Sequence, residues 1–431
     1  MINPSEAKKR LARHYLNLAQ DAKEKQSFQS LDPDLPQINE MLDCTFKYRA
    51  TMLPAFSGLV QQLSPYWGAR GMPQEAIKWG QRAVEACKQA GDRQGEGSHL
   101  GNLGNAYFNL GQINKAIEHY QQALVFVREI GDRQGEAKRL DNLGYAYSTL
   151  GQMNQALEYH QQALAIHQEV NDRPGELAVL GNLGLAYGRM GQTGKALETY
   201  EQALRLAQLL KDRRGQAMNL GNMGIAYRIM GQPDKARDCY RDALKIARRL
   251  GDRGMEHDNL ANLGVVYWQK GHNKRAINYH QQALAIAREI GDRRSEGTDL
   301  GNLGLAYSSR KQFDQAIEYF EQALTIAREL SDRRSEGIWL GNLGSTYRDL
   351  GQNDKAIEYH ELALPIARET GNRIGEGIHL IDLAGLYGNQ GYVERARENA
   401  ELALAIFEEV KSPYAEQARA LLIDLEADRA S

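Results

Sequence analysis

Small and apolar residues recur along the chain in two runs of helical spacing, and both runs return every 40 residues. Within 101–140, Leu103 and Tyr107 belong to the first run, and Ala116 and Tyr120 belong to the second. Residues four positions apart lie on one face of an α-helix. The pattern therefore predicts two amphipathic helices, joined by a turn, in each block of 40 residues.

The residues between the runs indicate where each helix ends and the next begins. Gly111 and Gly131 stand where a helix C-terminus needs a residue that tolerates positive φ. Asp132 follows as a predicted N-cap, and Glu136 lies in the first turn, near the positive end of the helix dipole. Each block is thus expected to form a helical hairpin.

The same block recurs without insertion or deletion over most of the chain, and a fixed period of this length is typical of repeat arrays. We expect nine repeats, which are 61-100, 101-140, 141-180, 181-220, 221-260, 261-300, 301-340, 341-380 and 381-420. We also expect an N-terminal helical cap over 1-60 and a C-terminal capping helix over 414-428.

Six of the ten prolines lie in the first 73 residues, so this part differs from the array. Asn3 followed by Pro4 predicts the start of a first helix that ends near Lys25. Ile38 belongs to a predicted second helix, and a third is expected from about 51 to 69.

The succession of Leu100, Leu103, Gly104, Tyr107, Ala116, Tyr120 and Ala123 resembles the tetratricopeptide repeat signature, over roughly residues 61 to 420. One position is tyrosine in eight blocks, at Tyr107, Tyr147, Tyr187, Tyr227, Tyr267, Tyr307, Tyr347 and Tyr387. The common repeat has about 34 residues, so this chain is similar to the long-repeat subgroup that includes kinesin light chains, Pins-type polarity adaptors and many bacterial regulators. The resemblance implies an all-α, right-handed superhelical solenoid whose concave groove binds peptides.

The N-terminal part is similar to the junction, in signal-transducing STAND NTPases, between the nucleotide-binding module and its repeat sensor. The residues that carry this resemblance are Arg13 to Leu16, Leu35 to Met41, Tyr66 and Trp67, Gly71, and Ala76 to Trp79. No G-x-x-x-x-G-K-[ST] loop occurs in the sequence. The resemblance therefore implies that the chain is the sensor half of such a regulator.

Composition excludes several classes of partner. Lys and Arg total 53 against 55 Asp and Glu, so there is no basic excess to bind nucleic acid. Cys44, Cys87 and Cys239 form no disulfide or zinc framework, which indicates a reducing compartment. With no signal peptide and no long apolar run, we expect a cytoplasmic protein that does not bind membranes.

The candidate binding residues are asparagines that recur beside the apolar stripe of the first helix. They are Asn102, Asn142, Asn182, Asn222, Asn262, Asn302 and Asn342, with Asp382 in the ninth block. A side-chain amide both donates and accepts hydrogen bonds, so these residues are expected to pair with the backbone of an extended peptide in the groove. Alternatively, each asparagine caps or bridges neighbouring helices of the scaffold.

Neighbouring positions vary and are expected to provide specificity. The candidates are Tyr145, Arg189, Arg228, Trp268 and Arg348. Trp268 is the best single anchor, since a rigid aromatic gives much contact area. The charges expected on this wall cancel, at Lys138, Arg189, Arg228 and Arg348 against Asp141, Asp258, Asp349 and Asp382. A clamp for one acidic tail would need clustered Lys and Arg, which the sequence does not show.

No residue set indicates catalysis, a cofactor or a metal site. His160, His280 and His360 replace a packing aromatic and are expected in the core, while the repeated Asp-Arg steps are expected to cap and to pair neighbouring repeats. We therefore expect a non-catalytic scaffold or sensor arm that binds a protein segment. The alternatives are a self-assembling solenoid and the ligand-sensing half of a STAND-type regulator.

Overall fold

The computed structural model describes residues 4–25 and 28–430, and all regular structure in that part of the chain is helical. The predicted all-α fold class is confirmed. The chain divides into two compact units, Met1–Gly215 and Gln216–Ser431. Among the described residues, no helix combines the length and apolar character needed to cross a membrane.

The first unit begins with three helices and a short 3-10 helix, Phe28–Asp34, and continues with helical pairs. Its helices are α1 (Pro4–Glu24), α2 (Leu35–Lys47), α3 (Arg49–Ala69), α4 (Pro73–Ala90), α5 (Arg93–Asn109), α6 (Ile113–Glu129), α7 (Arg133–Thr149), α8 (Met153–Glu169), α9 (Arg173–Arg189) and α10 (Thr193–Leu209). The three predicted N-terminal helices are confirmed; the predicted cap Asn3 lies outside the described residues.

The second unit consists of further pairs and one last helix. Helix α11 (Arg213–Ile229) contains the boundary between the units. The others are α12 (Pro233–Leu250), α13 (Arg253–Gln269), α14 (Asn273–Ile290), α15 (Arg293–Ser308), α16 (Phe313–Glu329), α17 (Arg333–Asp349), α18 (Asn353–Glu369), α19 (Arg373–Asn389), α20 (Val393–Glu409) and α21 (Ala415–Ala430).

Consecutive helices pack as hairpins. The packed pairs are α5 with α6, α7 with α8, α9 with α10, α13 with α14, α15 with α16, α17 with α18, and α19 with α20. Connections this short leave the two helices no alternative to packing side by side. The predicted hairpin is confirmed, although each block as numbered above begins inside its first helix.

Local capping chemistry sets the helix boundaries. The Asp132 carboxylate accepts a hydrogen bond from the Gly135 amide at 2.8 Å, which satisfies a free donor of the first turn of α7. Gly111 and Gly131 adopt φ of 77° and 71° at the preceding helix ends, as predicted. The same cap recurs at Asp92, Asp172, Asp212, Asp252, Asp292, Asp332 and Asn372.

In most hairpins a small residue of one helix lies opposite a ring of the other. A Cβ atom added at Gly304 would lie 2.6 Å from Phe320 of the partner helix, so the glycine allows the two backbones to approach. His160, His280 and His360 occupy the ring position and are at most 1% exposed, which confirms them as core residues. In the last pair, alanines replace both partners.

Ion pairs around a buried glutamate connect consecutive helices. Glu136 is buried and accepts from Arg128 at 2.7 Å and from Arg133 at 2.5 Å. Arg133 also pairs with Glu169 of the next helix at 2.5 Å. The predicted pairing role of the Asp-Arg steps is thereby confirmed. Buried glutamates paired with the two equivalent arginines of their own blocks are Glu256, Glu296, Glu336 and Glu376.

Candidate ligand-binding surface

The recurring asparagines lie on the first helix of each pair. In the first unit they are Asn102 on α5, Asn142 on α7 and Asn182 on α9; in the second they are Asn222 on α11, Asn262 on α13, Asn302 on α15 and Asn342 on α17. All seven are half-buried. Successive first helices approach each other within each unit, as α7 does α9 and α13 does α15. We call the two sets the asparagine rows.

Two members of the first row bridge neighbouring helices. The Asn142 side chain donates to Asn105 Oδ1 at 3.3 Å, and the Asn182 side chain donates to Asp141 Oδ1 at 3.1 Å. Asn105 Oδ1 also accepts from the Tyr120 hydroxyl at 2.9 Å. The scaffold interpretation therefore holds for these two amides.

The other five amides are not engaged in this way. Within residues 4–25 and 28–430, no side-chain hydrogen bond is formed by Asn102, Asn222, Asn262, Asn302 or Asn342. Each of these residues remains partly accessible. Since one amide group carries two donors and an acceptor, their hydrogen-bonding capacity remains for solvent or a ligand.

Two aromatic candidates lie partly in solvent. Trp268 is 36% exposed, and its Nε1 donates to Ser309 Oγ at 2.9 Å. Tyr145 is 48% exposed and packs against Phe108 with ring centroids 5.1 Å apart. Each side chain is therefore fixed by a contact with a neighbouring block and remains partly exposed.

The three candidate arginines are tied to the protein to different degrees. Arg189 donates to the Ser148 carbonyl at 3.2 Å and to its hydroxyl at 3.0 Å. Arg348 pairs with Asp382, whose pKa is raised by burial in spite of that pairing. Arg228 is half-buried. Arg189 and Arg348 are thus engaged by the scaffold, whereas the buried Nε of Arg228 has no hydrogen-bond partner among the described residues.

Sequence reasoning missed a cationic pocket in the first unit. A cavity of about 540 Å³ is lined by Lys23, Lys138, Arg139, Trp67 and Asn102, among others. The sequence pattern did not indicate this cluster: Lys138 and Arg139 are adjacent in sequence, but it is the packing of α1 that brings Lys23 to them. Burial lowers the pKa of Lys138, and the charges of Arg139 and Lys23 lower it further.

The second unit holds a buried charged cluster between its first helices. Asp299 is fully buried and accepts from His257 Nε2 at 2.8 Å and from His280 Nδ1 at 3.4 Å. His257 Nδ1 donates to Asp258 at 3.1 Å. Burial opposes the charge on His257, but its bonds to both carboxylates outweigh burial and raise its pKa to about 9.

Comparison with protein families identifies the repeat. A family model described as "Tetratricopeptide repeat" matches residues 68–129, 135–209, 189–249, 213–289, 255–329 and 335–409. The chain belongs to the tetratricopeptide repeat family. The resemblance drawn from its tyrosine, glycine and alanine positions is confirmed. No curated protein shows significant sequence similarity to it.

Several solved structures have a fold similar to that of this chain, among them these three. A STAND protein with a tetratricopeptide repeat sensor from Pyrococcus horikoshii is 16% identical, with a TM-score of 0.63, over 86% of this chain and 55% of that one. The apo quorum sensor NprR from B. thuringiensis is 14% identical, with a TM-score of 0.59, and the match covers 82% of this chain and 98% of that one. A Rap protein complexed with competence and sporulation factor is 16% identical, with a TM-score of 0.50, and the match covers 79% of this chain and 99% of that one.

These likenesses concern the fold. The match covers about half the length of the STAND protein, 55% of that chain. Identities this low leave the ligand to be argued from the chain's own residues.

Proposed function

We propose that this chain is a non-catalytic interaction module that binds an extended peptide or protein segment along the asparagine rows. The observation that carries the proposal is that five of the seven half-buried asparagines of the first helices form no side-chain hydrogen bond among the described residues. These five are Asn102, Asn222, Asn262, Asn302 and Asn342. Amides placed at a regular interval match the regular donors and acceptors of an extended backbone.

The packing of the first helices supports a ligand surface on their side. Successive first helices lie close together within each unit, as they do on the inner side of a curved array. A ligand on that side touches several blocks at once, so each asparagine needs to add only one hydrogen bond.

The residues next to the rows support discrimination between ligands. Trp268 and Tyr145 present partly exposed rings beside amides that read only backbone. Aromatic anchors with limited rotamer freedom contribute large contact area at low entropic cost. In the second unit, we propose that Trp268 selects a side chain while Asn222, Asn262 and Asn302 hold the backbone.

Structural neighbours support a sensor role for such a surface. Two of them are described as a quorum sensor and as a Rap protein complexed with a competence and sporulation factor. The STAND protein carries its tetratricopeptide repeats as a sensor. We propose the same class of signalling role here, in the cytoplasm, since the three cysteines are free thiols.

The test begins with a displayed library of random peptides selected on the full chain. The best binder is then titrated against the variant with Asn222→Ala, Asn262→Ala and Asn302→Ala together. Three hydrogen bonds of about 0.5–1.5 kcal/mol each predict an affinity loss of at least about tenfold. The control is Gln322→Ala, which removes an amide from second helix α16.

An unchanged dissociation constant in the triple variant, with its circular dichroism intact, would contradict the proposal. If the library instead yields no binder and light scattering shows mass growing with protein concentration, the self-assembly alternative replaces it.

A further inference from the structure

We infer that two copies of this chain pair through their second helices, with a basic face of each copy against an acidic face of the other. The basic face lies on α12 and α14, and the acidic face lies on α16 and α18, all in the second unit. Neither face includes the first helices that carry the asparagine rows. The inference therefore goes beyond the proposed function and does not depend on it.

The second helices of the second unit change the sign of their charge along the chain. Helix α12 has six basic and three acidic residues, and α14 has three basic and one acidic. Helix α16 has one basic and four acidic residues, α18 has two and four, and α20 has two and five. We define the basic face by Arg241, Lys245, Arg249, Lys274 and Arg275, and the acidic face by Asp314, Glu318, Glu321, Asp354 and Glu358, all of which are exposed.

The scaffold does not require basic residues at these positions. Three of them have acidic counterparts at equivalent positions 40 or 80 residues further along the chain, and the pairs are Arg241 and Glu321, Arg249 and Glu289, and Lys274 and Asp314. Glu289 forms an ion pair with Arg253 between two helices, so the structure of the joint does not account for an arginine at its position. The basic face thus calls for an explanation outside the fold.

Charges on both faces remain available to a partner. Within residues 4–25 and 28–430, three side chains of each face form no ion pair and no hydrogen bond, and they are Arg241, Arg249, Lys274, Asp314, Glu318 and Glu321. Like charges on one exposed face repel each other, and a face of opposite charge relieves that repulsion.

A groove between α12 and α14 suits a facing helix. Two cavities of about 630 and 510 Å³ lie there, and both are lined by Arg241, Arg248 and Tyr279. Lys245 lines the first cavity and Lys274 lines the second. Side chains of one helix pack into the grooves of another, so carboxylates on a facing helix would meet cations along this groove.

The occupant that fits is a protein face with charges of both signs. Asp238 and Asp242 line the first cavity among its cations, and a uniformly negative polymer would be repelled there. Helices α16 and α18 carry Arg328 and Lys355 among their acidic residues, which supply cations for these aspartates. A second copy of the chain is therefore a better match than a polyanion.

Reciprocity favours a closed pair of chains. Because the basic helices precede the acidic ones in the same unit, an antiparallel second copy satisfies both faces of both chains. Helices of this length are about 25 Å long and about 10 Å wide. With two helices in each face, the pair buries up to roughly 2,000 Å² in total, which is the size of a specific interface.

Sedimentation velocity of the full chain tests the pairing. At about 50 mM NaCl we expect a discrete dimer with a dissociation constant in the micromolar range. At about 500 mM NaCl the dissociation constant should be at least about tenfold higher, because salt screens exposed charges.

Two variants with reversed charges assign the contact to the two faces. The basic-face variant carries Arg241→Glu, Arg249→Glu and Lys274→Asp, and the acidic-face variant carries Asp314→Lys, Glu318→Lys and Glu321→Arg. Because each face occurs twice in the pair, three reversals change six contacts, so each variant alone should dimerise at least about tenfold more weakly. Mixed one to one, the two variants are complementary again and should form a heterodimer.

The matched control makes the same change in net charge as the basic-face variant, but on second helices of the first unit. It carries Lys115→Glu, Lys195→Glu and Arg205→Glu, on α6 and α10. We expect it to dimerise as the wild type does. Unchanged circular dichroism verifies that all three variants are folded.

The inference is overturned if the wild type stays monomeric up to about 100 μM at low salt, if its mass grows beyond that of a dimer, or if the mixed variants fail to associate. A control that dimerises as weakly as the basic-face variant would reduce the effect to net charge and would also overturn it. If a monomeric wild type binds poly-L-glutamate or a thymidine oligonucleotide, and the basic-face variant does not, the basic face belongs to a polyanion instead. The titration of library peptides against the asparagine variants is a separate measurement, so the proposed function stands or fails independently.

Discussion

The contact between Gly304 and Phe320 predicts that alanine, normally favoured in helices, destabilises this helix. Replacing Gly by Ala in a helix interior gains about 1 kcal/mol of intrinsic propensity. The new methyl group would lie 2.6 Å from Phe320, whose ring is 1% exposed and cannot swing into solvent. Overpacking costs about 1–3 kcal/mol. After the gain in propensity is subtracted, Gly304→Ala should lower the free energy of unfolding by up to about 2 kcal/mol.

The partner substitution supplies the second edge of a double-mutant cycle. Phe320→Ala removes a buried ring and should cost about 3–5 kcal/mol. With both changes present, the methyl of residue 304 no longer meets a ring and fills part of the cavity. The fold already contains this combination, since Ala384 and Ala400 occupy the two positions in the last hairpin and are fully buried. The free energy of unfolding of the double variant should therefore exceed, by about 1–3 kcal/mol, the value expected from adding the two single-variant losses.

The free energy of unfolding of the wild type, the two single variants and the double variant is measured by urea unfolding followed by circular dichroism. The curves are analysed with a nearest-neighbour model because repeat arrays depart from two-state behaviour. The matched control is Gly385→Ala on α19, where an added Cβ would meet nothing within 4 Å; it should stabilise by about 1 kcal/mol. If Gly304→Ala stabilises as much as Gly385→Ala, or if the two changes at 304 and 320 are additive, the steric argument is wrong.

Three further predictions separate core, charge and ligand surface. Tyr267→Ala should lower the free energy of unfolding by about 3–5 kcal/mol, because removing a ring that is only 4% exposed leaves a cavity. Asn262→Ala should change the melting temperature little. Equal losses of melting temperature would show that Asn262 is structural. The pKa of His257 is raised to about 9 from an ordinary 6.5, so its protonation contributes stability that is fully present below pH 6.5 and is lost as the pH rises through 9. Asp299→Asn should therefore reduce the fall in melting temperature at alkaline pH. An unchanged pH profile would contradict this role of Asp299. Trp268→Ala should alter which library peptides are selected while the fold stays intact, and an unchanged selection would remove Trp268 from the specificity surface.

Features that depend on nearby residues were predictable from sequence. The cap at Asp132 and the positive φ at Gly111 follow from a few consecutive residues, so a pattern of residue types was enough to locate them. The opposition of Gly304 and Phe320 also follows, because a hairpin fixes which positions of its two helices meet.

Features that depend on the packing of distant helices were not predictable. Lys23 and Arg139 lie far apart in sequence, and nothing in the period specifies how α1 packs against the first repeats. The same limit applies to the asparagine rows. Asn182 bridges to a carboxylate because the preceding block has Asp141, whereas most blocks have a glycine there, so equivalent asparagines differ in their partners.

The joints between helices have a consequence for how such a chain changes over generations. A residue with positive φ at the helix end, usually glycine, and a cap equivalent to Asp132 recur at successive joints. At most of these joints an arginine equivalent to Arg133 also bridges two glutamates, as Arg133 does Glu136 and Glu169. Recombination between two blocks at equal phase therefore yields a joint with the chemistry already in place. Gain or loss of 40 residues alters the length of the recognition surface without requiring a new interface, while the ends, α1 to α3 and α21, are outside the exchange.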